Sequence, residues 1–180
     1  MYGRILVGVD GSETSDVALA EALRLAKEQH AKLRLVHVAD IMPPAGLEST
    51  HIDYDLFRDS ALRAGREFMD RAQSLARRAD LEQDAESAVI EARAHDISDG
   101  IVGEAARWRA DLLVMGTHGR GGLERLLLGS VAESVARHAP VPVLLVRGPA
   151  AKTTSTAAQT RSRTTRGAAA KPRQSPRGGM

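Results

Sequence analysis

The chain has 180 residues, of which 25 are Lys or Arg and 23 are Asp or Glu, and it has no cysteine. The lack of cysteine excludes disulfides, thiol catalysis and Cys-ligated metal sites. Seven basic residues and no acidic residue fall within residues 150–180, so residues 1–149 hold 18 basic and 23 acidic side chains, a net charge of −5. The sequence pI of about 9.3 therefore reflects the tail and is a poor guide to what the body binds.

The first residues, MYGRILVGVDGSE, do not resemble a signal peptide, because the apolar run is short and leads directly into a turn. No stretch approaches the roughly 18 apolar residues of a membrane-spanning helix. We therefore expect a soluble protein of the cytoplasm.

Apolar segments of two kinds alternate along the body of the chain. In chain order they predict a strand at 4–10, a helix at 17–26, a strand at 32–38, a helix at 54–79, a strand at 86–94, a helix at 97–110, a strand at 111–116, a helix at 130–139 and a strand at 141–148. Ser12 or Thr14 is expected to cap the first helix, and Val17 begins its apolar face. Pro43 and Pro44 exclude regular structure from the long loop after the second strand.

This alternation predicts a doubly wound α/β domain, with a five-stranded parallel sheet and helices on both faces. Ligands of such sheets bind beyond the carboxyl ends of the strands, where the strand order reverses. Because the chemistry-bearing residues follow the first strand at Asp10 and the fourth at Gly116, we expect these strands to flank the reversal, in the order 3-2-1-4-5. The domain is predicted to span residues 1–148. Residues 149–180 have no Val, Ile, Leu or aromatic residue, which predicts a disordered basic tail.

The segment GTHGRGGLERLLLGS, which begins at Gly116, is far longer than a turn needs. Gly116 and Gly119 are expected to let the backbone approach a ligand and reach positive φ without a Cβ clash. Gly129 and Ser130 would open a helix whose unpaired N–H groups favour an anion. Ser130 and Glu133 have the S-x-x-E spacing of a capping box. The segment therefore predicts a phosphate cradle.

Two further roles are expected for the middle of this segment. Arg120 and Arg125 would add positive charge near an anion. Four leucines would hold the loop to the core, at Leu123, Leu126, Leu127 and Leu128. The segment lacks the Walker A pattern G-x-x-x-x-G-K-[ST], and the first turn lacks the dinucleotide fingerprint G-x-G-x-x-G.

Four stretches resemble the nucleotide-binding branch of the universal stress protein family: ILVGVDGSE, LVHV, DLLVMGTHGRGGLERLLLGSVAESV and APVPVLLV. The discriminating motif is G-x2-G-x9-G-[ST], which is met by Gly116, Gly119, Gly129 and Ser130. Its combination with Asp10 after the first strand makes the resemblance specific, and the resemblance covers residues 2–147. It implies an adenine nucleotide alpha hydrolase-like fold.

The resemblance also implies a site for ATP, with Mg²⁺ or Mn²⁺ on the phosphates. Adenine would lie against the backbone of Val38, with Val9 and Met115 nearby. Asp10 would lie near the ribose or a metal-bound water. The phosphates would be held by Gly116, Gly119, Gly129, Ser130 and Val131. Gly8 stands at the rim of this site where many members have proline, and IEARAHD stands where many have a glycine after the third strand.

Simpler interpretations exist for individual residues. Asp10 could only cap the first turn, and Ser130 would cap its helix in any case. His118 is more simply satisfied by a neighbour or by solvent, and His37 is more simply a buried strand residue. The remaining histidines lack the spacing of metal ligands. We expect neither catalytic residues nor a protein-built metal site.

Three functions follow from these observations. The first is an ATP-binding regulator of the stress-response type, read by an unidentified protein partner. This regulator is implied by the resemblance to form a homodimer through the last strand, residues 141–147. The second is a slow ATPase, for which only Asp10, His118 and the loop arginines are candidates. The third is weak, salt-sensitive association of the basic tail with nucleic acid.

Overall fold

The nine predicted elements are all present in the computed structural model, of which we describe residues 1–42, 53–92, 96–119 and 128–148. They are β1 Arg4–Gly8, α1 Glu13–Gln29, β2 Lys32–Asp40, α2 Tyr54–Arg78, β3 Ala85–Ala92, α3 Ile97–Trp108, β4 Leu112–Gly116, α4 Ser130–His138 and β5 Val143–Val146. The expected tail, residues 149–180, lies outside the described residues, and its disorder stays a prediction.

All strand pairs are parallel and the sheet order is β3-β2-β1-β4-β5, which confirms the predicted doubly wound topology. The helices cover both faces. One apolar layer lies between the sheet and α1 and α2, and the other lies between the sheet and α3 and α4. The order reverses between β1 and β4, so the carboxyl ends of these strands open into one crevice.

Helix α1 begins where the sequence predicts a cap, at Ser12, whose Oγ accepts the N–H of Ser15 at 3.1 Å. It ends at His30, which adopts the left-handed conformation with φ 54°. Val17, the residue predicted to begin the apolar face of α1, is 36% exposed and does not belong to that face. Ala18 and Leu19 are buried instead, since the helix starts earlier than predicted and its inner face begins at Ser15.

Polar side chains hold the amino end of the sheet. The guanidinium of Arg4 lies over the Trp108 ring, 4.4 Å from its centroid. Asp111 Oδ2 accepts the backbone N–H groups of Gly3 and Arg4, both at 2.9 Å. The buried carboxylate of Glu104 pairs with Arg34 at 2.8 Å. These contacts tie β1, β2 and α3 together at the end opposite the crevice.

None of the helices in the described part of the chain combines the length and the apolarity that a membrane crossing requires. The described residues all fall within one compact unit, Met1–Ala150.

Candidate functional site

A cavity of about 550 Å³ opens at the carboxyl ends of β1, β2 and β4. Its walls include all ten residues that the sequence analysis selects, which are Gly8, Val9, Asp10, Val38, Met115, Gly116, Gly119, Gly129, Ser130 and Val131. The structure therefore brings these residues together from five separate segments of the chain. Their roles in binding a ligand stay predictions.

Asp10 has two roles, one at each carboxylate oxygen. Oδ1 accepts the N–H of Ser12 at 3.0 Å and its hydroxyl at 2.6 Å, so the simple interpretation as a turn-capping residue is correct for this oxygen. Oδ2 lies beside Gly119, and both residues line the cavity. The backbone N–H of Asp10 donates to Ser15 Oγ at 3.1 Å, which fixes the residue against the start of α1.

The glycines of the cradle are needed for space and not for positive φ. Among the described glycines only Gly11 has a positive φ, of 78°, so this part of the expectation for Gly116 and Gly119 is wrong. A Cβ on Gly116 would stand 2.7 Å from Thr14 Cγ2, and one on Gly129 would stand 3.2 Å from the Thr117 carbonyl oxygen. Thr14 and Thr117 of the same chain pack so closely against these backbones that any larger residue would force the neighbouring atoms to move.

Helix α4 begins in an unexpected way. Gly129 is the N-cap, Ser130 is the first helical residue, and no side chain caps the helix. The predicted capping box of Ser130 and Glu133 is therefore wrong, and the Glu133 carboxylate pairs with Arg137 instead, at 2.8 Å. The Ser130 hydroxyl is released from capping, which leaves it at the rim of the cavity.

Three backbone N–H groups at the start of α4 line or adjoin the cavity. Within the described part of the chain, the N–H groups of Ser130, Val131 and Ala132 have no backbone acceptor, since the first bond of the helix runs from Glu133 to Gly129 at 2.8 Å. Such a helix start carries partial positive charge. It can hold an anion without any cationic side chain.

Thr117 closes the base of the long loop. Its carbonyl accepts the N–H of Gly129 at 2.9 Å, and its own N–H donates to Val146 on β5 at 2.9 Å. The two described ends of the loop are thus joined beside the cavity. The predicted contributions of Arg120, Arg125 and three of the four leucines lie outside the described residues; Leu128 lines the cavity, 36% exposed.

Val38 presents backbone polar groups to the cavity. Even-numbered residues of β2 direct their N–H and C=O groups toward β1, because Lys32 donates to Gly3 and Val36 accepts from Val9. The register of β1 with β2 ends at Gly8 and Val36. Within the described residues, Val38 therefore has no partner on β1, and one donor and one acceptor face the space beyond the strand.

Both singled-out histidines lie at the cavity. His37 is buried, as expected, and its Nδ1 lies 2.7 Å from the Val9 carbonyl oxygen. His118 Nδ1 lies 3.1 Å from Thr117 Oγ1, which agrees with the simpler interpretation of a satisfied histidine. In the described ranges, no three His, Asp or Glu side chains are grouped so that they could share a metal ion.

The sequence analysis missed a second set of wall residues. They are Ser15, Val36, Ala39, Asp40, Ala61, Ala64, Ile97, Ile101, Thr117 and Ala132. Asp40 ends β2 and Ser15 lies in the first turn of α1, both at the carboxyl edge of the sheet, so their position could have indicated them. Ala61 and Ala64 come from α2, and Ile97 and Ile101 come from α3. On such helices a ligand wall and a core position have the same residue pattern.

Comparisons with known proteins agree with this geometry. The sequence model of the universal stress protein family matches residues 1–147. Universal stress protein MJ0531 of Methanocaldococcus jannaschii is 35% identical over 149 residues, which are 83% of this chain and 84% of that protein.

Two solved structures with nucleotide ligands have the same fold. A universal stress protein in complex with cAMP aligns with a TM-score of 0.61 at 29% identity, covering 82% of this chain and 99% of the other. The universal stress protein from Archaeoglobus fulgidus in complex with dAMP aligns with a TM-score of 0.58 at 25% identity, covering 81% and 98%. On the family match and the identity to its relatives, the chain belongs to the universal stress protein family.

Proposed function

We propose that this protein binds ATP in the cavity at the carboxyl ends of β1, β2 and β4, and that the bound state regulates a protein partner. One observation carries the proposal. In the described part of the chain, the cavity has helix N–H groups without a backbone acceptor at one side and the backbone of Val38 without a partner on β1 at another. These groups suit a phosphate and a nucleobase respectively. Solved relatives in complex with cAMP and dAMP support an adenine nucleotide.

The phosphates would be held at the start of α4. The N–H groups of Ser130 and Val131 and the Ser130 hydroxyl supply donors there. Gly116 and Gly129 allow Thr14 and Thr117 to pack closely beside these donors. Hydrogen bonds to a charged oxygen are stronger than those between neutral groups. The phosphate group therefore accounts for most of the polar recognition in this part of the cavity.

Adenine would lie between Val9 and Met115, with its polar edge at Val38. A backbone N–H and C=O can bond one acceptor and one donor, and adenine has N1 as acceptor beside the N6 amino donor. Val9, Val38 and Met115 are each at most 9% exposed, so they offer an apolar slot for the ring. The ribose would then lie near Asp10.

A divalent cation fits the site only as a companion of the phosphates. Asp10 lines the cavity and its Oδ1 already bonds Ser12, which leaves Oδ2 for a cation, and the described residues supply no group of three ligands. Mg²⁺ or Mn²⁺ would neutralise phosphate charge, with Asp10 facing it directly or through water. We place the protein in the cytoplasm, where ATP is available.

The test is calorimetric titration of the full chain with ATP and Mg²⁺, after removal of any nucleotide that co-purifies. We expect one ATP per chain with a dissociation constant near 1 μM, about −8 kcal/mol. Titrations with AMP and cAMP rank the contribution of the outer phosphates. Absence of binding by all three, with no nucleotide released on denaturation, would refute the proposal. Phosphate release over the following hours tests slow turnover.

We also propose a homodimer through β5, which is an edge strand of the sheet. Pro142 and Val146 direct their carbonyl groups to β4, so the N–H groups of Val143 and Leu145 point outward. Leu145→Pro removes an outward donor and keeps the β4 ladder, whereas Leu144→Pro breaks that ladder. Sedimentation equilibrium should show a dimer for the natural chain and a folded monomer for Leu145→Pro; a monomeric natural chain would refute the dimer.

A further inference from the structure

We infer that His37 is a positioning residue of the nucleotide site, which ends the pairing of β1 with β2 and thereby keeps the Val38 backbone available for the nucleobase. The inference rests on the proposed function for the base, and on the geometry of the strands for the rest.

A parallel ladder between β1 and β2 should continue for one more bond. Val9 donates its N–H to the Val36 carbonyl at 2.8 Å, and the regular pattern would next join the Val38 N–H to the Val9 carbonyl. That bond is absent between these two described residues, and Val9 is outside β1. The ladder therefore stops although both strands are still side by side.

The His37 imidazole occupies the acceptor that Val38 would use. Nδ1 lies 2.7 Å from the Val9 carbonyl oxygen. A carbonyl oxygen only accepts, so Nδ1 carries the proton and donates it. The Val9 carbonyl is thus satisfied by a side chain, as a buried acceptor requires. Val38 is left with its N–H and C=O directed into the cavity.

Helix α2 fixes the imidazole in this place. A Cβ on Gly65 would stand 2.6 Å from His37 Cδ2, so the helix backbone lies directly on the ring. Phe68 meets the imidazole edge to face, with the ring centroids 5.3 Å apart. The ring is held by α2 on one side and by Val9 on the other, and the only glycine of α2 stands where it allows this.

The test compares four variants of the full chain. His37→Leu removes the donor. His37→Asn restores it, because the amide nitrogen of Asn is bonded to Cγ just as Nδ1 is. Gly65→Ala keeps the histidine but pushes its ring from Val9. Gly103→Ala on α3 is the control, since its added Cβ meets nothing within 4 Å.

The first measurement is hydrogen exchange at the Val38 amide in the nucleotide-free protein, with the Val36 amide inside the ladder as reference. We expect Val38 to exchange much faster than Val36 in the natural chain. In His37→Leu the Val9 carbonyl loses its donor, and we expect the Val38 N–H to take it and its exchange to slow toward that of Val36. His37→Asn should restore fast exchange.

The second measurement is affinity for ATP and GTP. His37→Leu and Gly65→Ala should bind ATP about tenfold more weakly and lose part of the preference for ATP, because the base loses one hydrogen bond. His37→Asn and Gly103→Ala should stay within about threefold of the natural chain. Should His37→Leu fail to fold, Gly65→Ala makes the same comparison with the histidine present.

The outcomes separate the two ideas. Equal Val36 and Val38 exchange in the natural chain, or unchanged ATP binding and base preference in folded His37→Leu, would overturn the role of His37. If the natural chain binds no nucleotide, the proposed function fails and the base-recognition half of this inference fails with it. The exchange data would still decide whether His37 ends the ladder.

Discussion

The Oδ2 atom of Asp10 lies 2.7 Å from the point at which a Cβ on residue 119 would stand, so the carboxylate occupies the space that Gly119 leaves open. Two parts of the chain 109 positions apart thus share one small volume at the mouth of the cavity. A side chain at position 119 would compete with Asp10 before it met any ligand.

Gly119→Ala should therefore weaken ATP binding by displacing Asp10. We expect a loss of about tenfold or more, because a hydrogen bond or ion contact made by a charged group is worth about 1.5–3 kcal/mol. Titration calorimetry measures the affinity, and a crystal structure of the variant would show the carboxylate moved. Natural affinity with Asp10 in place would contradict this account of Gly119.

Gly103→Ala on α3 is the matched control for a glycine substitution. A Cβ there meets nothing within 4 Å, and the residue lies inside a helix. Alanine is favoured over glycine in helices by about 1 kcal/mol, so urea denaturation should show a gain of about 0.5–1 kcal/mol. ATP affinity should not change. A loss of stability in Gly103→Ala would contradict the open space seen around residue 103.

Ser130→Ala should separate binding from stability. The Ser130 hydroxyl does not cap α4, so its removal should change the free energy of unfolding by less than about 0.5 kcal/mol. ATP affinity should fall about tenfold if the hydroxyl meets a phosphate oxygen. Ser12→Ala, which removes a real N-cap, should cost about 1 kcal/mol in the same urea experiment.

Glu104 should be the most sensitive charged residue of the fold. Its side chain is 1% exposed and pairs with Arg34 and Arg107. Glu104→Ala leaves Arg34, itself only 15% exposed, with Glu86 as its remaining partner, and should cost about 3 kcal/mol in urea denaturation. Glu21→Ala, in an exposed pair with Arg24, should have no measurable effect. Similar losses of unfolding free energy in both variants would show that the contribution of an ion pair does not depend on its burial.

A chain ending at Gly148 should bind ATP like the full chain. The cavity residues lie between Gly8 and Ala132, and the family match ends at residue 147. Any affinity of the full chain for duplex DNA should fall steeply as the salt concentration rises. The shortened chain should have no such affinity. A large change in ATP affinity on truncation would mean that the domain boundary is wrong.

Sequence patterns were sufficient for the element order and the sheet topology. Helical and strand periodicities each have one cause, the burial of a face, and the positions of Asp10 and Gly116 indicated the reversal point. The exact ends were not predictable. β1 stops at Gly8 and not at Asp10 because a side chain 28 residues away takes the Val9 carbonyl, and no local pattern contains that contact.

The spacing of the glycines indicated that they meet at one cavity, but it did not indicate how α4 begins. The S-x-x-E pattern at Ser130 predicts Ser130 as the N-cap of a capping box, but Gly129 takes that position. What decides the register is the bond from the Gly129 N–H to the Thr117 carbonyl, a contact across the loop. Ala61 and Ile101 could not be recognised as cavity residues from the sequence, since the same apolar residue types also fill a core.

The polar contacts of Arg4, Glu104 and Asp111 lie at the amino end of the sheet, whereas every cavity residue from β1 and β4 lies at its carboxyl end. The strands between them are fully buried, for example at Leu6 and Leu113. A designer could therefore raise the thermal tolerance of this chain by redesigning one rim, while reshaping the opposite rim for a different ligand, and expect the two sets of changes to add.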